Sequence, residues 1–307
     1  MNILLWHVHG SWTTAFVQGR HTYLVPVVPG RGPEGRGRAD TYDWPASVRE
    51  VTRDQAAGAP VDVVILQRPA ELRGLARDWL GGREPGRDVP AVYLEHSTPP
   101  GPATDMRHVA ADRSDMMVVH VTHCNRLFWD TGTARTRVIE HGIPDPGHRY
   151  TGEVERAAVV INEPDRRGRV VGADLLPDLG RGMPVDLFGI GTARDLRQGA
   201  LHDEMARRRV YLHPYRWTSL GLSLLEAMHL GMPVVALATT EVPEAVPPAA
   251  GIVSNRLDTL VDGLRMLARD PARARCMGMA AREHALTRYG LGRFLDEWDD
   301  VLSETTR

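Results

Sequence analysis

A chain of 307 residues, 42% hydrophobic and 25% charged, carries enough apolar material for two domains with separate cores. Its net charge of −2, with all 37 basic residues arginine, offers no electrostatic footprint for nucleic acid. Two distant cysteines, Cys124 and Cys276, suit a reducing cytoplasm; no leader-like segment is expected, and no stretch nears the roughly 18 apolar residues of a membrane span, leaving only peripheral membrane contact.

Residues 2–6 read as a short apolar strand running into His7-Val-His9-Gly10-Ser11, the strand–glycine turn expected at the carboxyl edge of a parallel sheet. His7 and His9 make a poor metal pair, with no further ligand at fixed spacing. A second strand is expected over 21–28. The glycine-rich stretch 29–38 cannot pack a core and reads as a solvated loop, with Arg31, Arg36 and Arg38 as alternative contacts for an acidic acceptor. Strands follow over 61–66, 91–96 and 116–122, with a helix over 72–80 and another starting at 125–130. His120, His123 and Cys124 lack further ligands at zinc spacing and read as core packing. Polar and glycine residues between Asp145 and Glu155 place a boundary, giving domains 1–150 and 151–285 and a terminal helix 286–307. A second sheet begins near Val159, continues through 184–188 into Gly189-Ile-Gly191, and returns over 209–213. Leu257, Leu260, Leu264 and Leu267 mark an amphipathic helix stopped at Asp270-Pro271. Alternating strands and helices predict an α/β protein with two doubly wound parallel sheets.

The densest stretch is His213 to Val235. A polar loop leads into an almost wholly apolar helix, which Gly231 and Pro233 end. Glu226 lies inside that helix, and a buried carboxylate needs partners. Either Ser223-x-x-Glu226 is a capping box, or Glu226 accepts two ligand hydroxyls beside a helix N-terminus that binds phosphate. Spacing does not separate the two.

The run Thr218 to Ala236, TSLGLSLLEAMHLGMPVVA, resembles the signature of retaining GT-B glycosyltransferases of family 4 (glycosyl transferases group 1). There a segment of the form E-G-F-G-L-x-x-L-E-A-M-A-x-G-x-P-V-V-A holds a nucleotide sugar. The resemblance implies two Rossmann-like domains facing across a cleft, the first taking the acceptor and the second the nucleotide, with the terminal helix 286–307 crossing back to the first. It also implies that Glu226 takes the ribose hydroxyls, and that Thr218, Ser219, Leu220, Gly221 and Leu222 line the donor, with the amides near Gly221 and Leu222 facing its diphosphate. Gly10 matches the glycine turn of the first strand, and His96 matches a histidine that lies against the donor sugar. Asn162 to Gly172 stands where the family has its G-R-L-x-x-x-K-G loop. That puts Arg166 at the family arginine and Val171 at the family lysine, so Arg167 or Arg169 would restore the lost charge. Gly189 and Gly191 would run under the base. Residues 137–144 resemble the V-I-P-N-G-V-D segment with His141 for Asn, and Glu241-Val-Pro-Glu244 resembles G-G-x-P-E without its glycines. One departure bears on activity: the family carries a glutamate where this chain has Thr218.

The expected function is retaining, metal-independent transfer from a nucleotide diphosphate sugar to a small-molecule, lipid or glycan acceptor. His96, Arg166 and Arg169 would serve the chemistry, and no further cofactor is needed. No D-x-D metal–diphosphate signature is present. Two rivals share the architecture: a nucleotide-sugar epimerase, and a non-catalytic nucleotide-sugar-binding partner subunit, which Thr218 favours.

Overall fold

The computed structural model describes all of residues 1–307, and the chain divides into two compact bodies. The first comprises Met1–Gly142 and Leu291–Arg307. Its strands are β1 (Asn2–Leu5), β2 (Thr22–Pro26), β3 (Val48–Val51), β4 (Val63–Leu66), β5 (Ala91–Glu95), β6 (Met106–Arg107), β7 (Met117–His120), β8 (Trp129–Asp130) and β9 (Arg135–Val138). Seven form one sheet in the order β3-β2-β1-β4-β5-β7-β9, every pairing parallel; β6 and β8 pair separately. β4, β5 and β7 are buried along their whole length, as a sheet covered on both faces requires. The closing helix Leu291–Thr305 belongs to this body. Its Trp298 stacks edge-on against Trp12 and Phe16, with ring centroids 5.6 and 5.0 Å apart.

The second body, Ile143–Gly290, holds β10 (Val154–Val160), β11 (Val185–Phe188), β12 (Arg208–His213), β13 (Val234–Ala236) and β14 (Gly251–Val253). They form a parallel sheet in the order β11-β10-β12-β13-β14. Counted from β10 this is the 2-1-3-4-5 order of a doubly wound fold. Buried Asp186 on β11 ties neighbouring strands together. It accepts Nε of Arg156 at 2.7 Å and of Arg208 at 2.9 Å, with Arg194 at 3.3 Å.

Several expectations are revised. The boundary falls at Gly142, ahead of 145–155, because that polar stretch packs onto the second body: the amides of Arg149 and Tyr150 both donate to Leu230 O at 3.1 Å, and Tyr150 OH to Arg209 O at 2.8 Å. The 72–80 helix is split into a π turn Glu71–Leu75, broken where Gly74 adopts φ 141°, and a short helix Ala76–Trp79. The helix Leu257–Arg269 does stop at Asp270-Pro271, as expected, but a further helix follows at once. Asp270 caps the Arg273 amide at 2.9 Å, and Pro271 takes the first position of a new helix, Pro271–Arg288.

Candidate functional site

In the second sheet the strand order reverses between β10 and β12. Loops leaving those two strands therefore line the crevice an open parallel sheet offers to a ligand. After β12 the loop through Thr218, Ser219 and Leu220 reaches the helix Leu222–Leu230, whose N-cap is Gly221 with φ −72° and ψ 121°. No side chain caps this helix. The Ser223 hydroxyl bonds Tyr211 OH at 2.8 Å instead, and Glu226 sits more than a turn inside, so the capping box is not formed. Uncapped amides at the positive end of a helix dipole make a site for an anion.

Why glycine stands at 221 follows from its neighbour. A Cβ there would lie 2.5 Å from Cε1 of His213. His213 is wholly buried with neither ring nitrogen hydrogen-bonded, and burial pushes its pKa down to about 3, so it is neutral. It is the middle rung of a ladder on alternate residues. Tyr211 lies 6.0 Å away at 28° and Tyr215 lies 4.5 Å away at 15°.

The segment after β10 is a short helix Pro164–Arg167 and a 3₁₀ turn Gly168–Val171. It is stitched to the loop after β12: the amides of Arg216 and Trp217 donate to Val170 O at 2.9 and 3.2 Å, and a Cβ at Gly172 would collide with Pro214 O. The three arginines differ. Arg166 is engaged by Glu163, and Arg169 by Asp174 at 3.0 Å, a carboxylate that also takes two bonds from Arg216 at 2.6 and 2.9 Å. Arg167 has no ion pair; its guanidinium lies 5.7 Å from the Tyr215 ring centroid. Beyond β11, Gly189 and Gly191 adopt φ 123° and 79°, and Asn162 Oδ1 accepts the Ile190 amide at 2.9 Å, joining this turn to the arginine segment. Glu226 is buried, with Gln198 Nε2 and His202 Nε2 each 3.4 Å from its oxygens, which is long for a hydrogen bond.

Gly10 and His96 lie in the first body. There the order reverses between β1 and β4, and the residues that follow the strands meet. His96 packs against His9 with ring centroids 4.0 Å apart, and against Trp12 at 5.3 Å. Gln67, after β4, donates its Nε2 to Trp6 O at 2.8 Å; its Oε1 therefore accepts from His96 Nε2 at 3.0 Å, and the His96 lone pair is on Nδ1. Burial holds His96 well below the usual histidine range, and His9 and His141 add to it; burial first, with His9 and Arg293, pushes His141 down to about 3. Gly10 opens the helix Gly10–Phe16 where a Cβ would meet the Tyr42 ring at 2.7 Å. Sequence reasoning missed Gln67, His9 and His141 as a group. The available signal was that His9 and Gln67 stand just past β1 and β4, the two strands that flank the reversal of order; His141 follows the edge strand β9 and carried no such signal.

The 29–38 arginines are put to structural use in two of three cases. Arg31 pairs with Glu50 at 2.8 Å, and Arg38 donates to the carbonyls of Trp44, Pro45 and Val48. His120 is buried while His123 is exposed, and no group of three or more His, Cys, Asp or Glu is arranged to hold a metal.

Residues 195–284 match the family model described as "Glycosyl transferases group 1". No curated protein is a significant match. Among solved structures, sucrose-phosphate synthase from Thermosynechococcus elongatus superposes with a TM-score of 0.72 at 13% identity, over 99% of this chain and 98% of that one. HepE from Anabaena, in complex with UDP, gives 0.68 at 15% identity, over 99% and 100%. A glycosyltransferase from Rickettsia africae gives 0.68 at 12% identity, over 100% and 98%. The fold is thus that of the GT-B glycosyltransferases, with two Rossmann-like domains.

Proposed function

We propose that this chain is a retaining, metal-independent glycosyltransferase that moves a sugar from a nucleotide diphosphate sugar to an acceptor hydroxyl. One observation carries the reading. Within and beside the matched segment, the crevice of the second sheet gathers an uncapped helix N-terminus, the ion-pair-free Arg167, a positive-φ glycine turn and the buried Glu226. These suit a diphosphate, a base and a ribose in turn. The acceptor oxygen bonds to the anomeric carbon on the face the diphosphate leaves, the bond to the diphosphate breaks, and the acceptor proton passes to the departing phosphate oxygen. Arg167 and the amides at the start of the Leu222–Leu230 helix offset the growing charge, so no metal is required for it. The family resemblance gives His96, which is neutral and has its tautomer fixed by Gln67, a part in holding the transferred sugar. HepE was solved with UDP-glucose as well as UDP, so uridine donors come first in any trial.

The experiment is a thermal-shift panel of nucleotide diphosphate sugars, followed by transfer and hydrolysis assays on each hit with and without EDTA. The expected result is a hit that turns over equally in EDTA. Activity abolished by EDTA and restored by manganese refutes the metal-independent mechanism, and donor epimerised with no acceptor present favours the epimerase. A donor that binds without turnover favours a non-catalytic partner, the reading to which Thr218 gives weight.

A further inference from the structure

We propose that Tyr215 is a positioning residue of the nucleotide site, holding Arg167 as the guanidinium that meets the ligand's diphosphate. The inference rests on the donor-site reading above and adds to it a residue outside the motif that identified the site. With Arg166 and Arg169 turned to Glu163 and Asp174, the segment presents one guanidinium without a carboxylate partner. An arginine on a four-residue helix loses much rotamer freedom when a ligand orders it, and a platform that orders it beforehand removes that cost. Tyr215 is built as such a platform. It is 7% exposed, its hydroxyl donates to Val160 O at 2.9 Å, its carbonyl accepts Thr239 Oγ1 at 2.7 Å, and its ring lies 4.5 Å from His213 at 15°. The ring cannot swing, and the Arg167 guanidinium carbon lies 5.7 Å from its centroid, within cation–π reach. The same ladder runs through His213 to Gly221, and through Tyr211 to Ser223. One face of the central strand β12 and its extension to Tyr215 therefore sets both anion-binding elements, Arg167 and the start of the Leu222–Leu230 helix.

The test measures UDP and uridine affinity by calorimetry and competition for wild type, Tyr215→Leu, Tyr215→Phe, Arg167→Lys, Arg167→Ala and the double variant Arg167→Ala/Tyr215→Leu. Tyr215→Leu is expected to weaken UDP about tenfold and uridine no more than about twofold, while Tyr215→Phe, which keeps the ring, stays within about threefold for UDP. The double variant is expected to bind UDP no more weakly than Arg167→Ala alone, because the two residues act as one unit. Arg167→Lys does not disturb the ladder; it keeps the charge without the stacking plane and is expected to weaken UDP about tenfold, which covers the case of a Tyr215 variant that does not fold. Equal losses for UDP and uridine in Tyr215→Leu, additive losses in the double variant, or unchanged UDP affinity in Arg167→Lys each overturn the proposal. A wild type that binds no UDP while folded overturns the uridine donor site itself, a separate outcome.

Discussion

Replacing Gly221 with alanine isolates the fit between the ladder and the helix N-terminus. The backbone at 221, φ −72° and ψ 121°, is one that alanine adopts without strain, so the added methyl acts only through its surroundings. That methyl meets His213 Cε1 at 2.5 Å, where about 3.4 Å or more is ordinary carbon–carbon contact. The imidazole sits between Tyr211 and Tyr215 and cannot back away without breaking a stack, so the loop must move instead, taking the Leu222 and Ser223 amides with it. Overpacking of this kind costs about 1–3 kcal/mol. If the bound state bears that cost, the nucleotide Kd rises by about 5- to 150-fold. Calorimetry against the best nucleotide diphosphate reads it, with urea unfolding to show how much of the cost falls on stability. The decisive variant is Gly221→Ala/His213→Ala. His213 makes no hydrogen bond through its ring, so its removal forfeits packing alone, and the double variant should recover most of the lost affinity. Wild-type affinity in Gly221→Ala, or a double variant as weak as the single, refutes the reasoning.

Glu226→Gln is expected to weaken nucleotide binding by about 1–3 kcal/mol with little change in the urea midpoint, because it serves no cap; unchanged affinity in calorimetry would remove Glu226 from the site. For Asp186, burial pushes the carboxyl up, but hydrogen bonds from Arg208 and Arg156 outweigh it and hold the pKa below its ordinary value. Its stabilisation is therefore present above the usual carboxylate range and fades as pH falls below about 4. Asp186→Asn should cost about 3 kcal/mol in urea unfolding at pH 7, leaving the buried Arg208 with Glu204 as its only carboxylate, and should flatten that acid slope; a variant as stable as wild type would refute it. On the proposed donor-site reading Thr218 would give the donor sugar one hydroxyl in place of a carboxylate, so deoxy or amino sugar donors are expected to outperform ordinary hexose donors in wild type. Transfer by Thr218→Glu with no wild-type activity on any donor would refute this and favour the inactive-partner reading.

The parts legible in the sequence were those where one segment decides its own conformation. The Leu222–Leu230 helix and its flanking strands β12 and β13 were marked by an apolar run between a polar loop and Gly231-Met232-Pro233. Elements carried by tertiary context were not. β3 is the sheet edge, and its Val-Arg-Glu-Val pattern, buried only at its ends, has too little apolar signal to stand out. The helix Gln198–Arg207, which brings Gln198 and His202 beside Glu226, is polar along most of its length. The roles of the three arginines were equally hidden. Arg166, Arg167 and Arg169 look alike in sequence, and what separates them is the placement of Glu163, Asp174 and Tyr215 around them, the last from 48 positions along the chain in the case of Arg167.

The packing of Leu291–Thr305 onto Trp12 and Phe16 fixes an order of events during biosynthesis. The residues that begin the first body leave the ribosome early, yet the helix that covers their aromatic face is made only after residues 143–290. At cellular elongation rates that interval lasts on the order of ten seconds, long enough for the second body to fold in the meantime. The body begun first is thus finished last, and for that interval Trp12 and Phe16 lack the cover of Trp298, a window in which a chaperone or a neighbouring nascent chain competes for them.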